Sequence, residues 1–500
     1  MEILLGFCKF AESKCLFMAN IRDLQPRLVW EQFDDITRVP RPSKKEEKII
    51  NYLIDFAEKH SLEYKRDKIG NVVIRKAATK GYEQRPTVIL QSHMDMVCEK
   101  NSDVVFDFDS QPIRTHIEDG WVRAEGTTLG ADCGIGMAAA LAMLIDQEVE
   151  HGPLEALFTV DEETGLTGAF ELGEGMLSGK YLINLDSEDE GEIFIGCAGG
   201  VDTVATFKYK KETAPAEYSF YRLDVADLLG GHSGDDIDKG RANSNKIAAR
   251  LMIEAQNDYE GRLSYFDGGN LRNAIPREAY MVFGVPCYRR EAFEKRCAAF
   301  IEEIKSEYQH TEPDMRLTLS EMPSVTEVLD IVSQHNLVGA LVGLPNGVIA
   351  MSQAVKGLVE TSTNLASVKF KGEDKIVVTT SQRSSLESAK LYAKLMVESV
   401  FVLAGAEVEH SDGYPGWSPD PSSRLLQLTV DSYHKLFAVE PKVRAVHAGL
   451  ECGLFLEKYP NLEMVSFGPT IRGVHSPDER LEISTVDKFW RLLCDVVKCV

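Results

Sequence analysis

The sequence predicts an α/β fold in which helices flank a mainly parallel sheet. Helical and strand patterns alternate along the first part of the chain, which is the order typical of parallel sheets with helices on both faces. The chain has 500 residues, of which 44% are hydrophobic, so it can bury a large core and favours two or more domains. A different pattern follows the glycine pair at 199–200, and this change indicates a second structural region.

The elements of the first region follow one another in a clear order. Apolar residues at helical spacing, from Ile49 to Phe56, predict a helix over residues 43–60. Short apolar runs predict strands over residues 71–75, from 87 onwards, over 154–160 and over 181–185. A helix is predicted over residues 136–144. In such a sheet, ligands bind at the carboxyl ends of the strands.

Polar side chains gather at those strand ends. The apolar run VIL leads into His93 and Asp95, ALFTV leads into three consecutive acids, and YLINL leads into Asp186. A further acid, Asp132, lies in the glycine-rich segment GTTLGADCGIG, where glycines allow the backbone to approach a ligand closely. Each has a structural alternative, since a histidine can be a hydrogen-bonded core residue and an acidic run can be a solvated helix start. Together, however, so many carboxylates would repel one another, and a pair of divalent cations would remove that cost.

The residue types suit a two-metal centre. Imidazole and carboxylate groups bind divalent ions such as zinc, and one carboxylate can bridge two ions. Two such ions lower the pKa of a shared water and polarise a carbonyl oxygen. In Asp161-Glu162-Glu163, neighbouring carboxylates can divide the roles of general base and metal ligand.

Charge and cysteine content argue against proteins that bind nucleic acid or anionic membranes and against disulfide-rich proteins. With 55 basic and 78 acidic residues the net charge is −23, and no Lys/Arg block offers a phosphate-binding face, so neither nucleic acid nor an anionic membrane is expected as the main partner. Ten scattered cysteines favour reduced thiols in a cytoplasmic protein. Residues 1–17 lack the pattern of a signal peptide and are expected to form a disordered or dispensable extension.

Six motifs in order carry a resemblance to a known family. SHMDMV, GTTLGAD, TVDEETG, NLDSE, GGHSG and VHSPDE are similar to motifs of the M20 family of two-metal peptidases, and within it of the aminoacyl-histidine dipeptidase group. The similarity runs from about Leu28 to the C-terminus. It implies hydrolysis of dipeptides, with Xaa-His and related short peptides as substrates, by a cytoplasmic homodimer. It also implies two metal ions per chain, with zinc as the default and manganese or cobalt as alternatives.

The resemblance assigns a role to each site residue. His93 and Asp186 would hold one ion, Glu163 and His475 the other, and Asp132 would bridge both. Glu162 would be the general base, and Asp95 would orient the His93 imidazole. Only the family resemblance selects His475 among the eleven histidines.

The resemblance also implies a discontinuous catalytic domain, formed by residues 18–200 and 413–500. Residues 201–412 would form an inserted α+β lid, with two similar halves. Strands and helices are predicted throughout this region, including a helix near residues 325–342.

Four further residues are expected to bind substrate by resemblance. His232 in GGHSG would stabilise the oxyanion, Asn273 would help to grip the substrate, and Arg383 would hold its carboxylate. Glu451 would face the free amine of the substrate. The alternatives are a turn-capping histidine at 232, a solvated surface arginine at 383 and a local ion pair at 451.

One position and three rival functions remain open. Cys133 stands where many family members have Asn or Asp, and its thiol could be inert, coordinate a metal softly or oxidise. The segment from Gly134 to Ala139 formally fits a dinucleotide-binding fingerprint, but TTLGADC before it is not an apolar strand. A broad-specificity dipeptidase or aminoacylase-like amidohydrolase is the enzymatic alternative, and a metal-binding protein without catalytic activity is the remaining one.

Overall fold

The structure is a computed structural model that describes residues 20–500. The predicted extension at residues 1–17 therefore lies outside the described residues. By its internal contacts the chain divides into two units. The first comprises the described part of residues 1–192 together with 427–441 and 463–500, and the second comprises 193–426 and 442–462.

The strands of the described chain alternate with helices, as the sequence predicts. In the first 200 residues they are β1 (Glu63–Arg66), β2 (Val72–Lys76), β3 (Val88–His93), β4 (Thr115–Glu118), β5 (Trp121–Ala124), β6 (Leu154–Thr159), β7 (Tyr181–Asn184) and β8 (Glu192–Cys197). Next come β9 (Gly199–Lys208), β10 (Lys211–Thr213), β11 (Tyr218–Ala226), β12 (Gly231–His232), β13 (Arg262–Gly268), β14 (Ala274–Ile275), β15 (Ala279–Pro286), β16 (Arg316–Met322) and β17 (Glu327–Leu329). The last are β18 (Gly347–Met351), β19 (Val359–Lys371), β20 (Lys375–Ser384), β21 (Glu407–His410), β22 (Lys442–Val446), β23 (Glu463–Ser466), β24 (Ile471–Arg472) and β25 (Arg480–Glu482).

The α-helices are distributed over both units. They are α1 (Arg27–Thr37), α2 (Glu47–Lys59), α3 (Ala131–Ile145), α4 (Glu162–Gly165), α5 (Thr167–Phe170), α6 (Ser244–Tyr259), α7 (Arg290–Glu307), α8 (Ile331–Gly343), α9 (Glu387–Leu403), α10 (Arg424–Phe437), α11 (Cys452–Lys458) and α12 (Ile483–Cys499). None of the helices within residues 20–500 combines the length and apolarity needed to cross a membrane.

The first unit is built on a mixed sheet with a parallel centre. Its strands lie in the order β1-β2-β6-β3-β7-β23. β3 is parallel to both β6 and β7, and β7 is parallel to β23, whereas β1 and β2 are antiparallel neighbours at one edge. Helix α3 is apolar on nearly every face and packs against β3 and α1, which accounts for its almost complete burial.

A small antiparallel sheet completes the first unit. Its strands lie in the order β24-β25-β5-β4, so the turn between β24 and β25 is anchored at both ends. This turn carries the motif VHSPDE.

The second unit is an α+β structure. Its antiparallel sheet has the order β16-β11-β15-β13-β19-β20-β9-β21, with β18 paired to β19. The helices α6 to α9 share one apolar core with this sheet, which includes Leu251, Phe283, Phe300 and Phe401. The structure therefore confirms the predicted α/β fold with an additional α+β domain. The predicted boundaries of that domain and the similarity of its halves stay a prediction.

One predicted helix begins later than expected. The helix predicted near residues 325–342 is α8, which starts only at Ile331, and residues 327–329 form strand β17 instead. This strand pairs with β10, and the side chain of Asp330 then caps the helix by accepting a hydrogen bond from the Ser333 amide at 3.0 Å. Pairing with a distant strand thus overrode the local helical pattern.

Candidate active site

The predicted metal ligands of the first unit lie together at the carboxyl ends of its parallel strands. His93 is the last residue of β3, the acids 161–163 follow β6, and Asp186 follows β7. Asp132 lies in the first turn of α3, and His475 lies in the turn between β24 and β25. The main-chain topology therefore brings five sequence-distant side chains to one place.

His93 forms the first half of the cluster. Its Nε2 lies 3.1 Å from Oδ1 of Asp132 and 3.3 Å from Oδ1 of Asp186. The imidazole is 1% exposed, so these carboxylates surround it in the interior.

His475 forms the second half. Its Nε2 lies 3.2 Å from Oδ2 of Asp132 and 2.9 Å from Oε2 of Glu163. The two oxygens of Asp132 thus face two different imidazoles, which is the arrangement expected of a bridging carboxylate.

The donor atoms fit a pair of divalent ions. Zinc bonds of about 2.0 to 2.2 Å at tetrahedral angles place neighbouring ligand atoms roughly 3.3 Å apart. The four separations around the imidazoles, from 2.9 to 3.3 Å, are close to that value. In addition, Oε1 of Glu163 is buried and has no hydrogen-bond partner among the described residues, so this oxygen is available to a metal ion.

The cluster is strongly polarised by its own side chains. Hydrogen bonds with Asp132 and Glu163 raise the pKa of His475 to about 11. Burial opposes the charged form of His93, but the carboxylates of Asp186 and Asp132 still raise its pKa well above the usual value. Burial raises the pKa of Asp186 to about 6. Burial also acts to raise the pKa of Asp132, but hydrogen bonds with both imidazoles outweigh it and lower that pKa. The carboxylates thus create a negatively charged environment around both imidazoles, which favours positive charge at this place.

Asp95 supports both His93 and the acidic turn. Its Oδ1 lies 3.4 Å from His93 Nδ1, and the carboxylate accepts hydrogen bonds from Ser43 Oγ at 2.8 Å and from the amides of Glu162 and Glu163 at 3.0 and 3.3 Å. The side chain is completely buried. This position suits the predicted orienting role and also fixes the backbone of the two glutamates.

Glu162 stands at the cluster on the short helix α4. One ligand atom from each of His93, Glu162 and Glu163 lies within 4.8 Å of the other two. The preceding residue, Asp161, has a left-handed backbone with φ of 50°. Its carboxylate accepts hydrogen bonds from the hydroxyls of Thr164 and Thr167, which explains why the sequence DEETGLT turns sharply after β6.

Cys133 lies beside the cluster but is well protected. Its thiol is 1% exposed and donates to the carbonyl oxygen of Leu185 at 3.3 Å. Burial, followed by the charge of Asp186, raises its pKa, so the protonated thiol is favoured.

The nearby segment that resembles a dinucleotide-binding fingerprint lies inside α3 and does not follow a strand. It therefore lacks the strand before the glycines that this fingerprint requires.

Sequence reasoning missed two buried residues that hold the Asp132 loop. Glu479 accepts hydrogen bonds from four consecutive backbone amides, those of residues 129–132, at 2.7 to 3.3 Å. Arg41 donates to the carbonyl oxygens of Asp95 at 2.6 Å and of Gly130. Glu479 belongs to the motif VHSPDE and could have been found there, whereas nothing local distinguishes Arg41. A second missed acid is Glu188 of NLDSE. Burial, followed by the charge of Asp132, raises the pKa of Glu188 to about 8.

Two of the predicted substrate-binding residues in the second unit are neighbours. β12 pairs with β14, and the Ser233 amide donates to the carbonyl oxygen of Asn273 at 2.8 Å, so His232 and Asn273 lie on adjoining segments. His232 Nδ1 accepts hydrogen bonds from the amides of Gly234 and Asp235 at 3.3 and 3.2 Å. The two amides favour a ring proton on Nε2, where it would suit an oxyanion, whereas the Asp235 carboxylate, 3.5 Å from Nδ1, favours a proton on Nδ1.

Arg383 and Glu451 are both buried in the second unit. Arg383 is 7% exposed and donates to the Tyr414 hydroxyl at 2.9 Å, while its Nε has no hydrogen-bond partner among the described residues. A solvated surface arginine is thereby excluded. Glu451 is 1% exposed and directly precedes α11. A residue that the sequence did not single out, His447, is also buried in this unit.

The chain is similar to known peptidases over almost its whole length. Residues 89–498 match the peptidase family M20/M25/M40. A cytosol non-specific dipeptidase of Escherichia coli is 42% identical over 481 residues, which cover 96% of this chain and 99% of that protein.

Solved structures of peptidases are also similar to the chain over almost its whole length. The aminoacylhistidine dipeptidase of Vibrio alginolyticus has a TM-score of 0.90 and 43% identity, with 97% of this chain and 99% of that chain covered. The aminopeptidase PepT of Bacillus cereus shares the fold, with a TM-score of 0.57 and 17% identity. This match covers 95% of this chain and 98% of that chain. These matches confirm the family resemblance seen in the sequence and the prediction of an enzyme that hydrolyses peptide bonds. The chain therefore belongs to the peptidase family M20/M25/M40.

Proposed function

We propose that the chain is a dinuclear metallo-dipeptidase. The observation that carries this proposal is the position of Asp132, whose two oxygens face the Nε2 atoms of His93 and His475 at 3.1 and 3.2 Å. Asp186 completes the half of the ligand cluster around His93, and Glu163 completes the half around His475. When bound, two divalent ions would lower the pKa of a water molecule and polarise the scissile carbonyl.

Glu162 is the proposed general base. It shares the turn after β6 with the ligand Glu163, and hydrogen bonds from both amides to Asp95 hold that turn in place. Its carboxylate takes a proton from the attacking water and returns it to the leaving amine. Asp95 maintains the orientation of the His93 ring.

The second unit provides the proposed substrate contacts. His232 donates from Nε2 to the developing oxyanion, and Arg383 binds the substrate carboxylate. Asn273, on the segment next to His232, helps to position the peptide. Glu451 is proposed to bind the free amine. Recognition of both charged ends would restrict substrates to short peptides.

The substrates proposed are dipeptides of the Xaa-His type and related short peptides. The name of the Vibrio alginolyticus relative supports this range, whereas the Escherichia coli relative is called non-specific and supports a broader one. The name of that relative also supports a cytoplasmic location. Zinc is the proposed metal because the ligands are imidazole and carboxylate groups, with manganese and cobalt as alternatives.

A homodimer is proposed from the surface of the second unit. Large apolar side chains are exposed on α8, β18 and α9, and α8 packs against α9. Among the described strands, β18 pairs only with β19, so its other edge is available to a second copy of the chain. The exposed apolar surface proposed for the dimer comprises Ile331, Val332, Val342, Val348, Ile349, Met351, Leu391, Tyr392, Leu395, Val402 and Leu403.

A dipeptide panel with a Glu162→Gln variant tests the catalytic proposal. The protein, stripped of metal and reconstituted with zinc, manganese or cobalt, should hydrolyse dipeptides, including those that end in histidine. Glu162→Gln should lower turnover by about 10²- to 10⁴-fold at unchanged metal content. The matched control, Glu171→Gln, changes an exposed acid nearby and should keep full activity. Near-normal turnover by metal-loaded Glu162→Gln would refute the assignment.

A further inference from the structure

Arg41 is a buried arginine that binds backbone carbonyl groups. It is 1% exposed. Its Nη1 donates to the carbonyl oxygens of Met94 and Asp95 at 3.2 and 2.6 Å, and its Nη2 donates to that of Gly130. Burial lowers the pKa of the guanidinium, whereas the charges of Asp95 and Glu479 oppose this effect. Because the guanidinium stays charged in proteins and charged donors form strong hydrogen bonds, Arg41 holds the three carbonyl groups firmly.

The three carbonyl groups belong to two segments that carry proposed metal ligands. Residues 94 and 95 directly follow His93, the last residue of β3, and Gly130 lies two residues before Asp132. The planar guanidinium presents its nitrogens in a fixed geometry, so it fixes the separation of the two segments. Arg41 therefore links the strand end with His93 to the loop with Asp132, whose Oδ1 lies 3.1 Å from His93 Nε2.

Two glycines of the segment GTTLGADCGIG leave room for this guanidinium. A Cβ atom added to Gly130 or to Gly134 would lie 2.6 Å from Nη2 of Arg41. This separation is well below the roughly 3.5 Å of an ordinary non-bonded contact. The absence of a side chain at both positions therefore allows Arg41 to lie directly against the Asp132 loop.

Glu479 links the same loop to a different segment. It accepts hydrogen bonds from the amides of residues 129–132, and it lies in the turn between β24 and β25, four residues after His475. Nε2 of His475 lies 3.2 Å from Oδ2 of Asp132. Glu479 therefore joins the Asp132 loop to the turn with His475, whereas Arg41 joins the loop to the strand end of the other imidazole.

We infer that Arg41 is the positioning residue for the half of the ligand cluster around His93. Glu479 has the same role for the half around His475. This inference rests on the proposed two-metal dipeptidase function and extends it. Loss of a residue that orients metal ligands typically weakens metal binding about 10- to 100-fold. Because Arg41 and Glu479 contact different ligand segments, loss of each should weaken the binding of a different ion.

Zinc content at limiting metal tests this division. Native mass spectrometry is carried out at a buffered free zinc concentration that is just sufficient to load the unsubstituted chain with two ions. Arg41→Lys should then hold one ion, because a single ammonium nitrogen cannot replace two Nη atoms. Glu479→Gln should also hold one ion, and the double variant should hold none. Two ions in Arg41→Lys, no ion in either single variant, or one ion in the double variant would overturn the inference.

A variant with only one intact half identifies the ion that depends on Arg41. His93→Ala keeps the half around His475. Adding Arg41→Lys to His93→Ala should leave its zinc content unchanged, whereas adding Glu479→Gln should lower it. Equal effects of the two substitutions in this background would overturn the assignment.

Controls keep the outcomes distinct. Arg38→Lys, on an exposed arginine three residues away, should hold two ions. Thermal unfolding shows whether each variant is folded, and Gly134→Ala provides a second route if Arg41→Lys does not fold. Its methyl group would press on Nη2 of Arg41, so it should also hold one ion, and two ions would overturn the inference. If the unsubstituted chain held fewer than two ions, the proposed two-metal function would fail and the inference with it.

Discussion

Replacement of Glu479 by Gln tests how the Asp132 loop is held. In the structure, Oε2 of Glu479 accepts from the amides of Leu129 and Gly130 at 2.8 and 2.9 Å, and Oε1 accepts from those of Ala131 and Asp132 at 2.7 and 3.3 Å. A glutamine keeps only one acceptor oxygen, so two of these buried amides would lose their partners. Each loss costs about 1 to 3 kcal/mol.

Hydrogen exchange of the Asp132 loop measures this cost directly. A loss of about 1 to 3 kcal/mol per amide corresponds to roughly 5- to 150-fold faster exchange through local opening. Mass spectrometry of a peptide that contains residues 129–132 should show this acceleration in Glu479→Gln at an unchanged rate elsewhere in the first unit. Glu482→Gln, three residues further on, is the matched control, because its carboxylate bonds only the Ser484 hydroxyl among the described residues. Exchange of the loop at the control rate would refute the reasoning.

Two further predictions concern the second unit. Burial, then the Arg383 charge, lowers the pKa of His447 to about 4, with Asp235 opposing and His232 adding to this effect. In the unfolded chain His447 binds this proton near pH 6.5, so its contribution to the free energy of unfolding should be fully present above pH 6.5 and should fall by about 3 kcal/mol as the pH drops to 4. Denaturant titrations of His447→Asn should lack this pH-dependent contribution. Identical pH dependence in both proteins would contradict the prediction. Leu395→Glu places a charge on the exposed apolar surface and should convert dimers into monomers in light scattering, whereas an unchanged mass would exclude this surface as the dimer contact.

The sequence was informative wherever chemistry follows a local pattern. His93, the acids 161–163 and Asp186 each follow an apolar run, and parallel strands that end at one sheet edge bring them together. Asp132 stands in a glycine-rich segment, where glycines allow the backbone to approach a ligand closely. The spacing of these residues along the chain is therefore enough to predict a two-metal site, although the choice of His475 required the family resemblance.

The remaining parts of the site depend on contacts that no local pattern reveals. Glu479 bonds amides that lie 347 to 350 positions earlier in the chain, and Arg41 reaches Gly130 across 89 positions. His447 contacts Ser362 across 85 positions, and Ser362 is paired with Arg383 through the strand register. Such long-range pairings are set by the tertiary fold, as is the late start of α8.

The number of metal ions per chain tests the central claim most directly. Native mass spectrometry of the full chain, stripped of metal and then reconstituted with zinc, should show two ions per chain, because Asp132 offers one oxygen to each half of the cluster. A chain that saturates at a single ion, or binds none, would contradict the two-metal centre.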